Sequence, residues 1–127
     1  MEKVCFKTKK GPAAVGPYST ATIYGGVIYM SGMIGVNPQT GKAPEGGTLA
    51  QAAQAFENIK TVLSELGADT GDVLKTTVFL TNIADFSEVN KLYAEVFGPD
   101  YPARTCVEVS ALPMGLSIEV ECIARAK

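Results

Sequence analysis

Two stretches near the C-terminal end of the chain carry residue types able to hold a small carboxylic acid and to activate water beside it. In Pro102-Ala103-Arg104-Thr105-Cys106-Val107-Glu108-Val109 the residue types alternate, so that Arg104 and Cys106 share one side of an extended chain and Val107 and Val109 take the other. In Leu116-Ser117-Ile118-Glu119-Val120-Glu121, Glu119 and Glu121 share one side, with Ile118, Val120 and Cys122 on the other. Both stretches read as strands. Placed near each other in one sheet with Arg104 and Glu119 on the same side, they set a guanidinium beside a carboxylate. The guanidinium offers a planar fork of N–H donors that fits a carboxylate. The carboxylate can accept a proton from water.

Each residue has a second reading. Arg104 can equally form a structural ion pair with Glu119, Glu121 or Asp100. Glu119 can be a general base, an ion-pair partner or part of a solvated face, and periodicity does not separate it from Glu121. Cys106 is a small pocket-lining residue or a thiol whose pKa a facing Arg104 lowers, and no base lies near it in sequence. Tyr18 follows Gly16-Pro17, where its ring could close a pocket. Ser31-Gly32 ends a strand, where backbone N–H groups could face a ligand. The stretch Gly35 to Ala43 looks like a phosphate loop, but its glycines are one residue too far apart. Ala43 also stands where Ser or Thr must reach the metal, so it reads as an ordinary turn.

Composition narrows the chemistry. The chain has no histidine, which excludes Ser-His and Cys-His pairs, His-ligated metals and a His general base. Cys5, Cys106 and Cys122 form no C-x-x-C pair, so the zinc-deaminase signature is missing as well. No metal site is expected. Acid–base work falls to Glu, Asp, Lys, Tyr or Cys. Eleven basic residues against thirteen acidic ones (formally 11 and 13) imply no nucleic-acid or membrane field. No apolar run approaches the roughly 20 residues of a bilayer span, and Met1-Glu2-Lys3-Val4-Cys5 is no signal-peptide core. Three widely spaced cysteines point to a reducing, cytoplasmic setting.

The elements that must position these residues are legible. The 127 residues suit one domain, 1–127, with one core. Residues 3–8 form a first strand; residues 20–24 and 27–32 form two more, joined by a tight turn at Gly25-Gly26. Residues 35–47 form a long loop. Thr48 caps a helix and Gln51 completes a capping box. Leu49, Ala52, Phe56, Ile59, Leu63 and Leu66 make its apolar stripe, and Gly67 ends it. A strand follows over Val73–Leu80, then a second helix from Asp85 that stops at Gly98-Pro99. The order β-β-β-α-β-α-β-β predicts an α+β fold, a single sheet with both helices on one face. The other face is expected to be bare and to carry Arg104, Cys106 and Glu119. With 46% hydrophobic and 19% charged residues, the chain is apolar enough to suggest that a second copy covers that face.

The same residues also resemble a known family. Gly16-Pro17-Tyr18-Ser19, Ser31 to Pro38, Lys75 to Leu80, Phe86-Ser87-Glu88-Val89-Asn90, Pro102 to Val109 and Ile118-Glu119-Val120-Glu121 are similar to the RidA/YjgF family of reactive-intermediate deaminases, across essentially the whole chain. The resemblance implies a chorismate-mutase-like protomer and a homotrimer with three clefts between subunits. It implies that Arg104 binds a substrate carboxylate and that Glu119 positions or activates water. Tyr18, Ser31, Gly32, Asn90 and Cys106 match positions that line the pocket. The implied reaction is hydrolysis of 2-imino acids, formed from enamines such as 2-aminoacrylate, to 2-keto acids and ammonia, without a cofactor. That is a 2-iminobutanoate/2-iminopropanoate deaminase activity. Gly35 stands where many members carry proline, which implies a less rigid loop. Two alternatives accompany the enzyme: a non-catalytic sensor of small keto acids or interaction protein, and an endoribonuclease or translation inhibitor. The balanced charge and missing histidine count against the last.

Overall fold

The computed structural model describes residues 2–127. The alternating stretches form six strands: β1 (Val4–Phe6), β2 (Ala21–Tyr24), β3 (Val27–Ile34), β4 (Val73–Leu80), β5 (Ala103–Glu108) and β6 (Ile118–Arg125). Two helices interrupt them, α1 (Gly47–Glu65) between β3 and β4, and α2 (Phe86–Phe97) between β4 and β5. The expected element order and α+β class therefore hold. The strands form one sheet in the order β1-β2-β3-β6-β4-β5. Every neighbouring pair is antiparallel except β4 and β5. A parallel pair needs a crossover, and α2 supplies it.

Both helices cover one face. Ile28, Met30, Val78, Leu80, Val120 and Cys122 point into the core from the sheet. Phe56, Ile59 and Leu63 of α1 and Val89, Tyr93 and Phe97 of α2 meet them. Phe56 sits edge-on to Tyr93 and Phe97, with ring centroids 6.0 and 5.6 Å apart. Such edge-to-face contacts suit the aromatic quadrupole. The stripe of α1 starts later than its sequence implies, because Leu49 is 43% exposed.

The helix ends divide between expectation and correction. Gly67 has φ 76 and closes α1: its N–H donates to Ser64 O (3.0 Å) and Ala68 N–H to Leu63 O (2.8 Å). At the other end the capping box does not form. Gly46 is the N-cap residue, with no side-chain cap, and Thr48 and Gln51 lie inside the helix. Their side chains serve tertiary structure instead. The Thr48 hydroxyl donates to Asp85 Oδ2 at 2.8 Å and meets Ser117 Oγ at 2.7 Å, while Gln51 Oε1 accepts from Ser117 N–H at 2.8 Å. These bonds tie the starts of α1, α2 and β6 together. Gly35 is buried where α1 crosses β3, and a Cβ there would lie 2.7 Å from Gln51 Cα. Close approach of helix and strand, rather than a loose loop, accounts for the glycine.

The opposite face of the sheet is open. In β4 the register breaks between Val73 and Lys75, so Val73 is buried and Leu74 exposed. Beyond the break Thr76, Val78 and Leu80 face the helices and Lys75, Thr77 and Phe79 face outward. Tyr29 of β3 and Val107 of β5 lie on this open side, 47% and 39% exposed. Among the described residues no helix is long and apolar enough to cross a membrane.

Candidate active site

Arg104 sits on β5, the edge strand, in parallel register with Thr76 of β4. Opposed residues share a face, so Arg104 turns toward the helices. Its guanidinium carbon stands 4.7 Å from the Tyr93 ring centroid and 5.1 Å from that of Phe86. Its Nη1 donates to Asn90 Oδ1 at 2.6 Å. The Tyr93 ring is itself fixed: its hydroxyl bonds Thr76 Oγ1 at 2.7 Å, and both residues are buried. Stacking on aromatic faces and one hydrogen bond orient the planar fork while the side chain stays exposed. A cavity of 450 Å³ opens beside it, bounded by Asn90, Tyr93, Tyr101, Pro102 and Arg104.

Cys106 lies on the same side, half-buried. Burial pushes its thiol above the ordinary 9.0, and the opposing pull of Arg104 is the weaker influence. Of the two readings that sequence allows for Cys106, a small pocket-lining residue or a cation-lowered thiol, desolvation removes the second.

Glu119 lies two strands away, near the start of β6, between Ile34 of β3 and Phe79 of β4. Those neighbours place it on the open face. It is half-buried, and burial first and the Glu121 carboxylate second push its carboxyl above the ordinary 4.5. Among the described residues no cation or hydrogen-bond donor acts against them. Its carboxylate reaches over Gly32. Ser31 and Gly32 lie within β3, not at its end, at a break in register between Met30 and Met33. The Ser31 N–H is occupied, donating to Thr20 O at 2.9 Å, and its hydroxyl donates to Ser19 O at 2.7 Å. It is therefore not a free N–H facing a ligand. Tyr18, Ser31 and Gly32 border a second cavity of 260 Å³, whose walls include Met33, Val36 and Met114.

The candidate residues thus fall into two groups. Arg104, Asn90 and Cys106 gather at the edge strand under α2; Tyr18, Ser31, Gly32 and Glu119 gather on the open face. The expectation that Arg104, Cys106 and Glu119 share one face is wrong for a single protomer. The ion pairs that sequence allowed for Arg104, with Glu119, Glu121 or Asp100, are absent among the described residues. Sequence reading missed Phe86, Tyr93 and Tyr101 as neighbours of Arg104. The signal was there in part: Phe86, Asn90 and Tyr93 fall on one stripe of α2, with a polar residue in an apolar row. Among the described residues no cluster of three or more His, Cys, Asp or Glu could hold a metal ion.

The profile of the family described as Endoribonuclease L-PSP matches residues 8–126. A human protein named 2-iminobutanoate/2-iminopropanoate deaminase is 44% identical over 117 residues, covering 92% of this chain and 85% of its own. A RutC family protein of Pyrococcus abyssi is 44% identical over 124 residues, 98% of each chain. Among solved structures, the Rid family protein YyfA of Yersinia pestis superposes with a TM-score of 0.94 at 44% identity, covering 98% of this chain and 100% of its own. With the fold and near-complete coverage in agreement, the chain belongs to the Endoribonuclease L-PSP family, and the Rid/YjgF proteins are among its relatives.

Proposed function

We propose that this protein hydrolyses 2-imino acids, the tautomers of enamines such as 2-aminoacrylate, to 2-keto acids and ammonia. The observation that carries the reading is the Arg104 fork, stacked on Tyr93 and Phe86, tied to Asn90 and open to a cavity. A relative of nearly the same length bears the name of such a deaminase at 44% identity.

The two groups of residues belong to opposite faces of one sheet, so the reading requires assembly. A homotrimer with clefts between subunits lets Arg104, Asn90 and Cys106 of one copy face Tyr18, Ser31, Gly32 and Glu119 of the next. Two parallel N–H bonds from Arg104 grip the substrate carboxylate and fix C2 in the cleft. Glu119 takes a proton from water as the water oxygen bonds to C2, and the C=N pair moves to nitrogen and is protonated. The carbinolamine then loses ammonia as its hydroxyl proton departs and the C=O bond forms. Acid–base help of about 10²–10⁴-fold is enough for a C=N bond that hydrolyses readily. No metal, cofactor or histidine enters these steps. A reducing cytoplasm suits the three free thiols, Cys5, Cys106 and Cys122.

The experiment generates imines from several amino acids with an oxidase or dehydratase and follows keto-acid release. Arg104→Lys keeps the charge and loses the fork, and it should lower kcat/KM by roughly 10- to 100-fold, the worth of a lost hydrogen bond to a charged group. A folded Arg104→Ala assembly with wild-type rates would remove the clamp. The family description favours a second reading, cleavage of RNA. A chain of net charge −2 offers the phosphate backbone little, and RNA binding measured against salt separates the two. Tight keto-acid binding without turnover would leave a sensor.

A further inference from the structure

We propose that Gly32 is a positioning residue: the space left by its missing side chain is where the Glu119 carboxylate rests. The inference builds on Glu119 as the base of the proposed hydrolysis. A Cβ added at Gly32 would lie 2.5 Å from Glu119 Oε2, 2.7 Å from Cδ and 3.0 Å from Cγ. Non-bonded carbons settle at about 3.5–4.0 Å, so the end of the glutamate occupies volume that any other residue would fill.

Backbone conformation does not explain this glycine. Gly32 is not among the glycines with positive φ, and its backbone suits alanine. Glycine weakens a strand interior, and its presence there often marks a close approach by another group. Here that group is Glu119. The break in β3 places both Ser31 and Gly32 between the pairs Met30–Cys122 and Met33–Val120, opposite Glu121 alone. A bulge of this kind re-aims side chains. Beside Glu119 in the ladder stand Ile34 and Phe79, both apolar. The end of the Glu119 side chain lies over Gly32, and Gly32 in turn borders the cavity that Tyr18 and Ser31 line.

The obstructing atoms belong to the far end of a flexible side chain, not to backbone. Gly32→Ala therefore leaves the fold in place and moves the carboxylate. A displacement of about 1 Å from a productive position can cost on the order of 10²-fold in rate. We expect Gly32→Ala to lower kcat by about that factor, with KM changed less than about twofold. We also expect it to have no further effect in a Glu119→Gln background. Wild-type kcat in Gly32→Ala, or the same loss repeated on Glu119→Gln, would overturn the proposal.

A second readout is independent of turnover. Carbon-13 labelling of the glutamate carboxyls, with Glu119 assigned by its Gln variant, follows its titration in the assembled protein. Moved out of its place, Glu119 should titrate nearer the ordinary 4.5; an unchanged midpoint overturns the inference. If Glu119→Gln hydrolyses imines at full rate, the functional reading fails while this titration still decides the placement. If Gly32→Ala does not fold, Gly32→Ala/Glu119→Ala decides. Recovery of the fold puts the clash at Glu119, and a double variant that stays unfolded refutes it.

Discussion

At the residue scale, the charge state of Glu119 governs whether it can act as a base. Its carboxyl is raised because it is half out of water and because Glu121 stands two residues along the same face. Both influences favour the protonated form. A base must be ionised, so the acid limb of the pH–kcat profile should sit above 4.5, with activity lost as pH falls through it. Glu121→Gln removes the like charge and should move that limb downward, toward 4.5. A profile unchanged by the substitution would assign the whole shift to burial. Glu121 is exposed, so its replacement should alter stability by less than about 0.5 kcal/mol. Cys106 follows the opposite logic. Its thiol is raised and stays protonated near neutrality, which makes it a poor nucleophile. Cys106→Ala should keep most of the imine hydrolysis, and a loss beyond about tenfold would return the thiol to the chemistry.

At the scale of elements, β4 and α2 hold Arg104 between them through the buried bond of Thr76 to Tyr93. Removing one partner strands a buried hydroxyl, which costs about 1–3 kcal/mol. Tyr93→Phe should therefore lower the denaturant midpoint with an unchanged slope. Thr76→Val in the same chain should restore much of the loss, because replacing both partners can be nearly neutral. An additive double variant would mean that the bond contributes nothing. The same elements explain how far the site could be read from sequence. Period two on β6 separates Ile118, Val120, Cys122 and Ala124 from Glu119 and Glu121, so its buried side is plain. On β5 both sets are mixed, Arg104, Cys106 and Glu108 against Thr105 and Val107, and alternation carries no sign. The sign comes from parallel pairing with Thr76, Val78 and Leu80, which is a long-range fact. Gly67 could be read because a left-handed helix end is a local demand. The Thr48 cap could not, because its hydroxyl bonds Asp85 and Ser117, 37 and 69 residues away.

At the scale of the whole molecule, the proposed reading makes activity a property of assembly, because its residues are divided between two faces of the sheet. A protomer carries both the arginine group and the glutamate group, yet the sheet stands between them. Two defective chains should therefore repair each other. Arg104→Ala spoils one side of a cleft and Glu119→Gln the other, so each variant alone keeps only a small residual rate. Mixed by joint refolding in equal amounts, a ring of copies places an intact Arg104 against an intact Glu119 in about one cleft of four if subunits assort at random. Imine hydrolysis should return to about a quarter of the wild-type rate, while either variant refolded alone stays at its residual rate. Light scattering on the same samples should give three times the 13.3 kDa protomer mass. If the mixture stayed as inactive as its parts while its mass matched the wild type, the two groups would not meet across subunits. The arginine and the glutamate would then serve separate purposes on opposite sides of the sheet.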